Sequence, residues 1–222
     1  MTHADTASFR DVLRAIPTRP SEMPVLSAAE APAEPLGLLR TWLEEEADRG
    51  TPVAHAFTLA TVSAEGAPEG RTVILKDLDG EALWFASSAR SRKGVAISES
   101  PVAEAVFYWA ETGRQVRVSG PVAPGPREVS DADFMGRHPN ARAGVVVGRQ
   151  GTERPDPDEA GSLLDEALAH VEDDPDDVPG HWIAYRLEAR SVDVVQLRPA
   201  SDGERIRYER GDDGWTVVDL WP

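Results

Sequence analysis

Cysteine is absent from the 222-residue chain. That excludes disulfides, thiolate nucleophiles, iron–sulfur clusters and Cys-based zinc sites together. Long apolar runs are missing too, and none approaches the roughly 20 residues that a membrane-spanning helix needs. The N-terminus carries Asp5 and Arg10 and no apolar h-region, so no secretory signal is visible. Positive charge is scarce: 23 Lys+Arg face 39 Asp+Glu, a net charge of −16. A field of that sign repels phosphate backbones and anionic lipid, which argues against nucleic-acid and membrane partners. These absences point to a soluble cytoplasmic protein. No Gly-x-Gly-x-x-Gly and no Walker P-loop is present, so the usual nucleotide cradles are excluded. No Gly-x-Ser-x-Gly elbow supports serine hydrolysis. His3, His55, His138, His170 and His181 show neither His-x-His nor HExxH spacing, and no metal site is expected.

What is present suits one domain with an appended arm. Residues 1–33 hold Pro17, Pro20, Pro24 and Pro32 and read as an irregular arm, with at most a short helix near Phe9–Ala15. Residues 34–222 form the domain proper. Pro35 opens a helical pattern with Leu36, Leu39 and Leu43 on one face, and Gly50-Thr51-Pro52 stops it. From Ala54 the hydrophobic period falls to two. Strands are predicted over 54–62, 71–76, 82–86, 102–109, 115–120, 182–188, 192–197, 206–208 and 215–218, with Asp79-Gly80 as a hairpin signal. Helices are predicted over 91–98, in two pieces over 128–149 broken near His138-Pro139, and over 159–171. The acidic run 172–177 reads as a solvated connector. Short strands at hairpin spacing suggest a mainly β, α+β fold: an antiparallel barrel with helices packed outside.

Residues 70–120 stand apart electrostatically. They carry seven Lys+Arg against six Asp+Glu, a positive island in an acidic chain. Ser91-Arg92-Lys93-Gly94 opens a predicted helix, yet the helix dipole favours anions in a first turn. Free N–H groups there, with Ser87, Ser88, Ser91 and the two cations, would make a phosphate cradle. The bland alternative is a solvated Arg-Lys pair. Arg71 and Lys76 lie five apart on one predicted strand, which puts them on opposite faces and would let them serve two different anions. Surface charges at a strand end are the competing reading.

At these residues the chain resembles the pyridoxamine 5′-phosphate oxidase family, flavoproteins with an FMN-binding split barrel. The carrying motifs are Arg71-x-Val-x-Leu-Lys76, Ser91-Arg92-Lys93, Arg114-Gln115-Val116, Arg149-Gln150, a Tyr-x-Arg and a terminal Trp-x-x-x-x-Leu-x-Pro, in order over about Leu36–Pro222. The resemblance implies FMN held between the subunits of a homodimer. It implies that Arg71, Thr72, Val73, Ile74, Leu75 and Lys76 line FMN, with Arg71 near its phosphate. Ser87, Arg92 and Lys93 complete the phosphate site in this reading. Gln115 meets the isoalloxazine region, and Gln150, Gly151 and Arg205 also approach FMN. Lys76 and Arg137 match positions that hold the substrate phosphate.

The departures concern the substrate half. Ser201 and Gly203 stand where the family has a substrate Arg and His, and Asp133 and Ala141 where it has a Tyr and a Ser beside the substrate phosphate. Val195 replaces a Trp beside the flavin, and Gly151 replaces a Ser. Tyr108-Trp109-x-Glu111-Thr112 is similar to the phenazine-biosynthesis FMN oxidases of the same superfamily. The resemblance therefore implies an FMN-dependent oxidase. It would take a hydride from a small amine or N-heterocycle, held through an anionic group such as a carboxylate by Lys76 and Arg137, and pass electrons to O2. A genuine pyridoxamine/pyridoxine 5′-phosphate oxidase is the alternative, and a flavin-binding module without turnover is a third reading. No residue is singled out as a catalytic acid or base, and Tyr108 and Trp109 fit either a pocket wall or the core.

Overall fold

One eleven-residue strand is shared by both arms of the sheet. In the computed structural model, which describes residues 9–15, 26, 31–198 and 201–222, this strand is β6 (Arg114–Pro124). Before it come α1 (Phe9–Ala15), α2 (Pro35–Asp48), β1 (Ala56–Val62), β2 (Pro68–Ile74), β3 (Asp77–Leu78), β4 (Ala82–Ser88), α3 (Arg92–Glu99) and β5 (Val102–Trp109). After it come α4 (Arg127–Met135), α5 (Pro139–Val147), α6 (Pro157–Asp173), β7 (Trp182–Glu188), β8 (Ser191–Arg198), β9 (Ser201–Gly211) and β10 (Gly214–Leu220). One arm runs β10-β9-β8-β6-β5-β1-β2, all antiparallel. The other leaves the end of β6 at Val122–Pro124 and runs through β7 and β4 to β3. The result is a curled, split antiparallel barrel with helices outside.

Period-two alternation fills the inside of the curl. Phe57, Leu59, Phe107, Val116, Val118, Val194 and Ile206 are buried, and their neighbours along each strand face outward. The few aromatics are concentrated here: Phe57 lies 5.0 Å from Phe107, and Phe85 stacks on Tyr185 at 5.4 Å. Such offset pairs add to area burial by about 1 kcal/mol each. Helix α2 closes this core with Leu36, Leu39 and Trp42. Its end is fixed by the fully buried Glu46, which accepts hydrogen bonds from Thr51 and Thr112 at 2.7 Å each. Arg114 lies over the Trp42 ring and pairs with Glu45 at 2.6 Å. A smaller cluster of Phe134, Val145 and Trp182 joins α4 and α5 to β7.

Several expectations needed adjustment. The second strand spans Pro68–Ile74 instead of 71–76, because the chain leaves β1 at Leu75, whose N–H bonds His55, and Lys76 N–H crosses to Trp84 of β4. Arg71 and Lys76 are therefore not on one strand. The two-residue β3 and the N-terminal half of β9 lacked an apolar alternation to announce them. The Asp79 hairpin is present, with the Asp79 carboxylate accepting the Glu81 and Ala82 N–H groups at 2.8 Å. Beyond α1, Leu26 and residues 31–33, the arm lies outside the described residues. Among the described residues no helix is long and apolar enough to cross a membrane.

The outward face of β6, β8 and β9 is polar at its centre. Asp193, 5% exposed, receives Arg205 on one oxygen at 2.9 Å and Arg117 and Arg207 on the other at 3.0 and 2.9 Å. Burial pushes its carboxyl pKa up. The hydrogen bonds from Arg207 and Arg205 and the charge of Arg117 outweigh that and hold it below its ordinary value. A depressed carboxyl pKa stabilises the fold above the unfolded-state pKa, and that contribution disappears as pH falls through the folded value. Asp193→Asn is expected to lower the stability of the flavin-free protein at pH 7 by about 2 kcal/mol, read as about 5 °C in Tm. The gap between variant and wild type should narrow below about pH 4. A pH-independent gap would show that packing, not charge, is at work.

Candidate functional site

The junction between β4 and α3 is the candidate anion site. Ser91 caps the helix, its hydroxyl accepting the Gly94 N–H at 3.3 Å while donating to the Ser88 carbonyl at 2.7 Å. The turn before it is held by Ala89 N–H on the His181 carbonyl at 2.7 Å. A Cβ at position 94 would sit 2.5 Å from the Ser88 oxygen, so only glycine lets the first turn close this tightly. Ser87 Oγ lies 3.3 Å from Ser91 Oγ. Burial, then Arg90, push the His181 imidazole below its ordinary value, and its Nδ1 lies 3.1 Å from Ser88 Oγ.

Lys93 is the unusual group. It is 9% exposed, and among the described residues its ammonium donates to the Ser91 hydroxyl alone, at 3.3 Å. No carboxylate among the described residues pairs with it. Burial and the nearby Arg71 both push its pKa down. Arg71 is likewise lowered by burial, against Glu69 and with Arg92. A buried cation at a helix N-terminus, beside other cations and without a counter-charge, is costly unless an anion comes to it.

A cavity of about 690 Å³ opens over this junction. It gathers Arg71, Thr72, Val73, Ile74, Lys76, Ser87, Arg92, Lys93, Arg137, Gln150 and Gly151. These are most of the residues the resemblance implicates. Arg71 and Lys76 both line this one cavity, Arg71 from β2 and Lys76 from beyond its end, so it is not the two faces of one strand that separate them. Arg71 donates to the Leu59 and Glu69 carbonyls at 3.0 Å and to Thr61 Oγ1 at 2.7 Å, and pairs with Glu69 at 3.0 Å. Exposed Arg92 pairs with the other oxygen of Glu69. Lys76 pairs with Asp133 at 3.2 Å. Arg137 stacks over the Trp182 ring at 4.6 Å. A second cavity of about 480 Å³, between α5 and α6, adjoins the first through Arg137, Gln150 and Trp182.

Three implicated residues do not line the cavity. Leu75 packs against the main core. Gln115 and Arg205 lie on the outward sheet face, where the register sets Tyr108, Gln115, Val195 and Arg205 in one row across four strands. Tyr108 is exposed in that row, and Trp109 is buried with its indole N–H on the Ala54 carbonyl at 3.0 Å. Gly203 has φ +95°, and a Cβ there would meet the Gln196 oxygen at 2.5 Å. The irregular pairing of β8 with β9 thus has no room for the His that the resemblance implies at this position. Glu69, Gly70, Ala86 and Trp182 also line the cavity and were not singled out in the sequence. Glu69 had a signal, since it lies two residues from Arg71 and so shares its strand face. Trp182 had none, because only tertiary packing brings β7 to the cavity.

The sequence profile of the pyridoxamine 5′-phosphate oxidase family matches residues 43–162. The pyridoxine/pyridoxamine 5′-phosphate oxidase of Chromohalobacter salexigens is 36% identical over 203 residues, covering 89% of this chain and 93% of that protein. The chain belongs to the pyridoxamine 5′-phosphate oxidase family. With that membership come the cofactor, FMN, and the class, FMN-dependent oxidoreductase. The Thermosynechococcus vestitus oxidase of the same name is 34% identical over 197 residues, with 89% and 93% covered. Among solved structures, PhzG of Burkholderia lata in complex with tetrahydrophenazine-1-carboxylic acid is similar with TM-score 0.83 and 27% identity, over 90% of this chain and 99% of that one. A pyridoxamine 5′-phosphate oxidase-related, FMN-binding protein of Nostoc punctiforme shares the fold at TM-score 0.70 and 23% identity, over 84% and 96%.

The cavity fits the family's cofactor at its phosphate end: the uncompensated Lys93 ammonium, the Ser87 and Ser91 hydroxyls and the start of α3 converge there. Lys93→Met removes a buried charge that destabilises the empty protein, so the Tm of the flavin-free variant should equal or exceed that of wild type. FMN affinity should fall by about tenfold or more, the worth of a charged hydrogen bond. Thermal unfolding and fluorescence titration measure the two separately. An unchanged FMN affinity would contradict the assignment.

Proposed function

We propose that the chain is an oxidase that takes a hydride from a small amine or partly reduced N-heterocycle and passes the electrons to O2. The observation that carries this reading is the cavity itself: a buried, uncompensated cation at one end, and room beside Arg137 and Trp182 at the other. FMN, when bound, accepts a hydride and is reoxidised by an acceptor, so no side-chain acid or base is obligatory. The chain's part is to hold, orient and exclude. Lys93, Ser87 and Ser91 would hold the phosphate. Arg71 and Arg92, already joined through Glu69, would add positive potential. Val73 and Ile74 would wall the cavity against water, and Arg137 would orient the substrate from the Trp182 ring.

Two observations favour a substrate other than pyridoxamine 5′-phosphate. Lys76 is engaged by Asp133, and backbone geometry bars a side chain at position 203. PhzG, similar over most of the chain, was solved with a partly reduced heterocycle. The competing reading, a genuine pyridoxine/pyridoxamine 5′-phosphate oxidase, draws on the names of the curated relatives. Assembly enters here as well. Gln115 and Arg205 sit in a row on the outward face, away from the cavity of their own chain, so both act on FMN only if that face meets a second copy. The reading therefore includes a homodimer whose sites combine the cavity of one chain with the Tyr108–Arg205 row of the other.

The purified protein is expected to be yellow, with releasable FMN, and to scatter light as a particle of twice 24.0 kDa. Oxygen consumption should give kcat/KM for pyridoxamine 5′-phosphate below about 10⁴ M⁻¹s⁻¹. Tetrahydrophenazine-1-carboxylic acid should bleach the flavin anaerobically and form peroxide in air. A value above that limit for pyridoxamine 5′-phosphate would establish the competing reading, and a flavin-bearing monomer would remove the dimer from the account.

A further inference from the structure

The charges around the cavity divide into two unequal ends. At the α3 end three cations, Arg71, Arg92 and Lys93, share one carboxylate, Glu69, bound to Arg71 and Arg92. The balance is two positive charges, which suits a dianionic phosphate. At the other end two cations, Lys76 and Arg137, face one carboxylate, Asp133. The balance there is a single positive charge.

Asp133 is firmly placed. Its side chain is 12% exposed; one oxygen takes Lys76 Nζ at 3.2 Å and the other accepts the Trp182 indole N–H at 2.9 Å. Both oxygens are committed, so the carboxylate holds Lys76 to the wall of the cavity. Arg137 is what remains. Its guanidinium carbon lies 4.6 Å from the Trp182 ring centroid, and it lines the cavity with no carboxylate partner among the described residues. A planar guanidinium pairs with a planar carboxylate through two parallel hydrogen bonds.

We infer that Asp133 is a specificity-determining residue: by neutralising Lys76 it leaves Arg137 as the single anion-reading group, and so selects a substrate bearing a monoanionic carboxylate over one bearing a dianionic phosphate. The inference rests on the oxidase reading above and adds the charge of the substrate to it. A second phosphate at this end would meet one net positive charge, because Asp133 cancels Lys76, and a single charge balances a monoanion and leaves a dianion half neutralised.

The test uses flavin-loaded protein, anaerobic calorimetry and two probes on nearly the same ring: 4-pyridoxate, which carries a carboxylate, and pyridoxine 5′-phosphate. Wild type is expected to bind 4-pyridoxate the more tightly. Asp133→Asn keeps an oxygen for the Trp182 N–H and frees Lys76, and should move the ratio of the two affinities toward the phosphate probe by about tenfold or more. Arg137→Gln should weaken 4-pyridoxate by a similar factor. The inference is overturned if wild type prefers the phosphate probe, if it binds neither, or if Asp133→Asn leaves the ratio unchanged with wild-type flavin content. The wild-type preference needs no variant, so the question is decided even if Asp133→Asn does not fold. Protein that purifies without FMN and cannot be loaded would instead count against the oxidase reading, which separates the two failures.

Discussion

A lysine ammonium that is buried and, among the described residues, lacks a carboxylate partner is the constraint around which this site is arranged. Lys93 sits in the first turn of α3, where the dipole already opposes a cation. Everything that keeps it there is structural: glycine at 94 to let the turn close on the Ser88 carbonyl, Ser91 as the cap, and β7 to hold the end of β4 in place. Local stability argues against such an arrangement, and ligand binding argues for it. Empty, the site carries a charge that burial disfavours; with a phosphate, the same charge, the capping hydroxyl and the helix start act together.

The curl of the sheet gives that constraint its reach. Because β6 serves both arms, the cavity at β2, β4 and α3 and the polar row on the outward face of β6, β8 and β9 belong to one folded body. Asp193 keeps three arginines on the outward face ordered and compact, and Asp133 does the same for Lys76 inside the cavity. In both places a single carboxylate engages the cations beside it.

The sequence carried much of this. Alternation announced the long strands, and the Pro35 and Ser91 starts announced two helices, because burial of one face and capping are local rules. The clash of Arg92 and Lys93 with the dipole marked this helix start as a candidate anion site from local rules alone. Other features were hidden for physical reasons. The strand holding Arg71 ends at Ile74 because Lys76 is drawn across to Trp84, a long-range hydrogen bond that no local pattern encodes. The N-terminal half of β9 is polar and follows β8 through backbone pairing alone. In the sequence Asp133 stood only as a departure beside the implied substrate phosphate; that it holds Lys76 and Trp182 depends on α4 packing against β7. Glycine at 203 read as a lost substrate contact, and its positive φ shows a backbone requirement as well.

The central claim is that the start of α3, through Lys93, recognises a phosphate and with it the cofactor. Comparing the dissociation constants of FMN and riboflavin for the same flavin-free protein tests it most directly, since the two ligands differ only in that phosphate. The account predicts that FMN binds at least about a hundredfold more tightly, the worth of two charge-assisted hydrogen bonds, and that the advantage shrinks in Lys93→Met. Equal affinity for the two flavins would contradict it.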